Sequence, residues 1–206
     1  VNPPDHERFR RPVAKAFTPR AVGKLRERVV TRTDELLDDL DGKQTVDLMD
    51  SFASLLPIDI IGAILGMPVE MRGAALEWGN SGAVLLDLGI SWKSFRQAII
   101  AMRRADAFLA DHVATVRREP GDDIFSQLVL SGDLNNFELR ATATLLLGAG
   151  FETTVNLIGN GSRLLFDHPG QRERLAADPA SWANAVDEVL RVESPVSRTA
   201  RCARRD

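Results

Sequence analysis

The chain has 206 residues, 44% of them hydrophobic and 27% charged, with a formal net charge of -3 and a single cysteine. This composition excludes a disordered or low-complexity chain, a general nucleic-acid binder and an internal disulfide framework, and it suffices for a sizeable core in one or two domains. One Cys suits a reducing compartment, so a cytoplasmic setting is expected. The first residues, VNPPDHERF, contain neither an initiator Met nor the apolar run of a signal peptide, so an internal stretch of a longer protein is expected. The longest uncharged apolar run, Ala141 to Phe151, falls short of the roughly 18 to 20 residues that cross a bilayer, so no membrane span is expected.

In chain order, Asn2 before Pro3 and Pro4, with Asp5 following, reads as the capped start of a helix. With His6 at 0°, Phe9, Val13, Ala16 and Phe17 fall between about 280° and 20°, while Arg8, Arg11 and Lys15 fall between about 140° and 200° as a solvated face. His6 and Arg10 land on the apolar edge, where a cation calls for an anionic partner; an ion pair within the protein and a satisfied core histidine are the alternative. Thr18-Pro19 caps a second helix, carried by Val22, Leu25, Val29, Leu36 and Leu40 to Asp41-Gly42. A third, from about Met49 to Leu65, closes at Gly66 and carries Pro57, which predicts a kink or break. A short helix over about Met71 to Gly79 precedes Asn80 to Ser91, read as a connection over an apolar cavity. Phe95, Ile99, Met102, Leu109, Val113 and Val116 then mark a long amphipathic helix ending near Arg118. His112 on that helix has no second ligand at helical spacing and reads as a packing or surface residue. Asp122-Asp123 caps a short helix to about Leu130.

Asn136 is expected to cap the central helix, which ends at His168-Pro169 and contains ATATLLLGAGFETTVNLIGNGSRLLF over Ala141 to Phe166. Four interior glycines, Gly148, Gly150, Gly159 and Gly161, weaken a helix by about 1 kcal/mol each, so the missing side chains must serve something. Leu146, Ala149, Gly150, Thr153 and Leu157 share one stripe, which serves either a close helix crossing or a flat ligand. A Thr hydroxyl there can also bond the carbonyl four residues back. Near the end of the chain, Glu188 and Arg191 face each other at i, i+3 on a helix after Pro179.

These landmarks resemble the cytochrome P450 family, the haem-thiolate monooxygenases of soluble bacterial type. Ala149-Gly150-Phe151-Glu152-Thr153-Thr154 is similar to that family's oxygen-binding signature, His6-x-x-x-Arg10 to its propionate-binding pair, and Glu188-Val189-Leu190-Arg191 to its Glu-x-x-Arg helix. The resemblance implies a mainly α, partial cytochrome P450 fold with minor β over residues 1–206. The β part is a strand after Glu193-Ser194-Pro195-Val196, in which Arg201 reaches a haem propionate. It also implies that Ala149 and Gly150 contact haem b (iron protoporphyrin IX), that Glu152 relays protons toward bound dioxygen, and that Thr153 hydrogen-bonds the oxygen species. Leu85, Leu86, Ala149, Thr153 and Val196 would line a pocket for a small organic substrate, with O2 as co-substrate and electrons from a ferredoxin-type or reductase donor.

The Phe-x-x-Gly-x-x-x-Cys-x-Gly loop that supplies the thiolate in that family does not occur, and Cys202 lacks the glycine turn that would present it. The axial ligand is therefore expected outside this chain, and residues 1–206 alone are expected to be inactive. A non-catalytic helical effector domain, and a haem-binding relative without activity, are the other readings open at this stage.

Overall fold

The computed structural model describes residues 5–86 and 89–197. Contacts cluster into two compact units, Val1–Glu152 and Thr153–Asp206. The first holds α1 (Asp5–Ala16), α2 (Pro19–Asp38), α3 (Leu55–Ile64), α4 (Arg72–Ala83), α5 (Trp92–Arg118), α6 (Ile124–Ser131) and the first half of α7 (Asn136–Asp167). The second holds the rest of α7, α8 (Pro169–Ala177) and α9 (Trp182–Val192). Among the described residues there is no strand, so the mainly α expectation holds, while the expected minor β begins at Arg198, outside those residues. Asn2, Pro3 and Pro4 also lie outside them.

Side-chain caps start α2 and α6 where the sequence predicts, and α5 has one that the sequence reading did not assign. Thr18 Oγ1 accepts from the Ala21 N–H at 3.1 Å with Pro19 in the first turn, Ser91 Oγ accepts from Ser94 N–H at 3.1 Å, and Asp123 Oδ1 accepts from Ser126 N–H at 2.7 Å. After α3 the chain turns at Gly66, whose φ of +62° strains any side chain. A Cβ there would also stand 2.5 Å from Asp123 Oδ2.

Three boundaries differ from the sequence reading. Met49–Ala53 winds as a π turn and α3 begins only at Leu55, which places Pro57 in the first turn, where its missing N–H has no intrahelical partner to lose. The break thus precedes the proline. Helix α4 continues through Asn80 to Ala83 before a 3₁₀ turn at Val84–Leu86, so the expected open connection is shorter. Helix α7 is capped by Asn135 and not Asn136: Asn135 Oδ1 accepts from Glu138 N–H at 3.0 Å and Glu138 Oε2 accepts from Asn135 N–H at 2.9 Å, a reciprocal capping box.

The core of the first unit gathers Leu36, Leu65, Leu109, Phe125 and Leu139, all essentially inaccessible. His112 is buried in it as a packing residue. It stacks between Phe108 and Phe125 at ring-centroid distances of 5.5 and 5.8 Å, and its Nε2–H donates to the Leu65 carbonyl at 2.7 Å. On α5 the buried face is Ala98, Ala101, Ala105, Leu109, Val113 and Val116, while Phe95 is exposed. The small residues let α4 and α5 pack closely.

Asp59, 6% exposed on α3, is the charged residue set deepest in this unit. Arg32 of α2 donates from Nε to its Oδ2, and Arg72 of α4 pairs with its Oδ1 at 2.7 Å. Arg32 Nη1 also donates to Glu35 at 2.8 Å. Removing the carboxylate strands two part-buried guanidinium groups, so Asp59→Ala should destabilise the fold by about 3–5 kcal/mol, and Asp59→Asn by less. Chemical denaturation checks this, and a loss within the error of the parent would show that the three charges are solvated separately.

Candidate functional site

The signature run lies in the middle of α7. Leu139, Ala143, Leu147, Phe151 and Val155 are buried at four-residue spacing and fix which side of the helix turns inward. Ala149 is exposed, and Gly150, Glu152, Thr153 and Thr154 are half-buried. The side chain missing at Gly150 serves a helix approach, because a Cβ there would meet Ile61 Cδ1 of α3 at 3.1 Å. The glycines are not one floor. Gly148 faces open space, and a Cβ on Gly161 would meet Val189 of α9 at an ordinary 3.6 Å.

His6 and Arg10 are both exposed on α1, so neither cation bears the burial cost that the helical wheel suggested. Arg10 lines an open groove of about 720 Å³ with Arg11 and Lys15, which merges two faces the sequence reading kept apart. Arg8 was expected on the solvated face, yet its guanidinium donates to Glu138 Oε1 at 2.6 Å and lies 4.3 Å from the Phe9 ring centroid. That bond ties the helix bearing His6 and Arg10 to the start of α7, about 16 Å along the helix axis before Ala149. Sequence reading missed it because Arg8 and Glu138 are far apart in the chain.

Glu188 and Arg191 meet as expected, with Arg191 Nε and Nη2 donating to the two carboxylate oxygens at 2.7 and 2.6 Å. Both are exposed, so the pair itself contributes little stability. The segment after α9 is held to α7 by contacts not foreseen: Arg163 Nη2 donates to Glu193 Oε1 at 2.7 Å and Asn160 Nδ2 to the Glu193 carbonyl at 3.2 Å. Val196 is exposed beyond them, and Leu85 is half-buried in the turn after α4. The Leu86 side chain, Arg201 and Cys202 lie outside the described residues.

The donor set suits a dicarboxylate cofactor. His6 and Arg10 take part in no ion pair among the described residues, which leaves their exposed side-chain nitrogens, on one helix, open to an anionic group. No group of three or more His, Cys, Asp or Glu is placed to hold a metal ion among those residues.

No protein-family model matches the chain. It is 45% identical over 214 residues, covering the whole chain and 49% of the relative, to "Putative cytochrome P450 140" of Mycobacterium tuberculosis. It is 39% identical over 207 residues, covering 98% of the chain and 50% of the relative, to 6-deoxyerythronolide B hydroxylase of Saccharopolyspora erythraea. The crystal structure of P450BioI in complex with a hexadec-9Z-enoic acid ligated acyl carrier protein matches with a TM-score of 0.89 at 34% identity, over 94% of this chain and 50% of that one. A fold that is helical among the described residues, with the Ala149 to Thr154 run at mid-helix, matched in sequence and in structure along nearly its whole length, defines the class: the chain belongs to the cytochrome P450 family. It spans about half the length of the curated relatives it matches. No helix among the described residues is long and apolar enough to cross a membrane.

Glu138 titrates below the usual glutamate range, chiefly because Arg8 hydrogen-bonds its carboxylate and then because the Asn135 N–H does. A depressed carboxylate favours the folded state above its ordinary titration range and loses that contribution as pH falls through its lowered value. Arg8→Gln should therefore move the Glu138 midpoint part of the way back up, as read by carboxyl-carbon NMR titration. An unmoved midpoint would mean that the capping N–H alone sets it.

Proposed function

We propose that the full-length protein is a haem-dependent monooxygenase that oxidises a small apolar organic substrate with O2 and two electrons, and that residues 1–206 are part of a cytochrome P450 domain. The observation that carries this reading is the Ala149 to Thr154 run, which lies in the middle of the unbroken helix α7, with Glu152 and Thr153 half-buried, in a chain of this family. Haem b, when bound, supplies the oxygen-activating iron. His6, Arg10 and Arg201 would bind its propionates, and the family pattern assigns contact with it to Ala149 and Gly150. Glu152 is half-buried, which lets a carboxylate exchange protons with water on one side and deliver them inward on the other. Thr153 follows it in the helix and holds a hydroxyl proton where oxygen is reduced. The substrate-lining roles of Leu85, Leu86, Ala149, Thr153 and Val196 carry over from the family pattern, as do the structural roles of Glu188 and Arg191. A cytoplasmic enzyme of this kind takes its electrons from a ferredoxin-type or reductase donor, and Arg11 with Lys15 offers an acidic donor a basic face on the helix that carries His6.

In the full-length protein, Thr153→Ala should leave haem content intact but lower product per electron, with the lost equivalents appearing as peroxide. The ratio of product to consumed reductant decides it, and an unchanged ratio removes Thr153 from proton handling.

Replacing Arg11 and Lys15 by Glu should slow association with an acidic electron donor and flatten its ionic-strength dependence, while substrate affinity stays unchanged. Stopped-flow reduction at several salt concentrations measures this. A parent rate that does not respond to salt would show that the groove takes no part in donor docking.

A further inference from the structure

Gly79 lies buried in the interior of α4, where a glycine weakens the helix. Its place is explained by the ring of Phe151: a Cβ on Gly79 would stand 2.9 Å from Phe151 Cδ1 and 3.3 Å from both Cε1 and Cγ. Phe151 is 2% exposed, so its ring is covered by packed protein and can give way only by displacing neighbours. At the preceding residue, Gly150 meets Ile61 of α3 with nearly the same closeness. Helix α7 is thus gripped at two consecutive residues by α3 and α4, immediately before Glu152. Helix α4 leads on to the Val84–Leu86 turn that carries Leu85.

We propose that Phe151, seated on Gly79, is a positioning residue for Glu152, and that this contact passes the position of α4 to the turn of α7 that delivers protons. Its role in proton delivery rests on the monooxygenase reading above. The contact itself stands on geometry alone. A substrate that presses on the turn after α4 shifts the seat of the Phe151 ring, and with it the backbone that carries the Glu152 carboxylate. A packing role alone would make Gly79 matter for stability but not for the fate of electrons.

The test uses the full-length, haem-loaded protein as the parent, Gly79→Ala, Phe151→Leu and the double variant. Product per electron is the first readout, since a ratio is insensitive to how much enzyme has folded. Gly79→Ala should lower it about threefold or more, because small misplacements of a catalytic group are costly. The double variant, in which a smaller side chain makes room for the new methyl, should return to within about twofold of Phe151→Leu. The second readout is amide hydrogen exchange over residues 150–154, expected to quicken about fivefold in Gly79→Ala while the α2 amides hold their rates. Unchanged exchange overturns the proposal. So does faster exchange with an unchanged ratio, or effects of the two substitutions that simply add. A parent that couples no reductant to product refutes the monooxygenase reading instead, and the mechanical link then stands or falls on the exchange rates.

Discussion

The buried carboxylate of Asp59 is the constraint on which the first unit depends. It stands on α3 with a guanidinium from α2 on one oxygen and a guanidinium from α4 on the other, so three helices share one charge cluster. Such a cluster gains little over a hydrophobic replacement of the same shape, but it is unforgiving of any other register. A shift of one residue in α2 or α4 would leave one oxygen of the buried Asp59 carboxylate without its guanidinium. Arg72 already bears part of this cost, since its Nε is buried without a hydrogen-bond partner. Register on α3 matters beyond the cluster, because Ile61, two residues after Asp59, is the side chain that meets Gly150 of α7.

Much of the helical frame was legible because caps and stops are local chemistry. Thr18-Pro19, Asp123 and Gly66 each act through groups within a few residues, so the sequence alone contains both partners. What stayed hidden depends on partners far along the chain. The Asp59 cluster joins residues 32, 59 and 72, and Arg8 finds Glu138 across most of the first unit. The inward face of α5 was legible only in part: Leu109, Val113 and Val116 are buried on it as the periodicity predicts. Large apolar residues were taken to mark it, whereas alanines fill it where α4 comes close and Phe95 is left exposed. The reach of α4 to Ala83 was underestimated because Gly79, Asn80 and Gly82 look like a loop to any propensity scale. Tertiary contact overrides that preference.

The candidate site divides along the same line. The order of motifs and the Glu188–Arg191 pair were readable, since residues at i, i+3 on a helix must meet. The surroundings of the motif were not. Helical angles placed His6 and Arg10 on an apolar edge, but α1 is a short helix with exposed flanks, and both lie open. A wheel gives direction around a helix; only the neighbours decide what is covered. Equally, the wheel put Gly150 in one small-residue stripe with Ala149, while the fold gives the pair different surroundings: Ile61 fills the space at Gly150, and Ala149 is left exposed.

That division bears on how α7 can be both weak and exact at its centre. Gly148 and Gly150 each lower the cost of opening the helix, and the Thr residues just beyond offer hydroxyls that compete for its carbonyls. A free helix of this sequence would distort here first. In the folded chain the weak turn is pressed from two sides within two residues, by Ile61 against Gly150 and by Gly79 against Phe151, before it reaches Glu152. The backbone just before Glu152 is therefore held by the helices packed on it as well as by its own hydrogen-bond ladder. A stiff, alanine-rich helix would hold its own shape whatever α3 and α4 did. The glycines give up that independence, and the turn just before Glu152 rests on helices that are themselves tied together through Asp59.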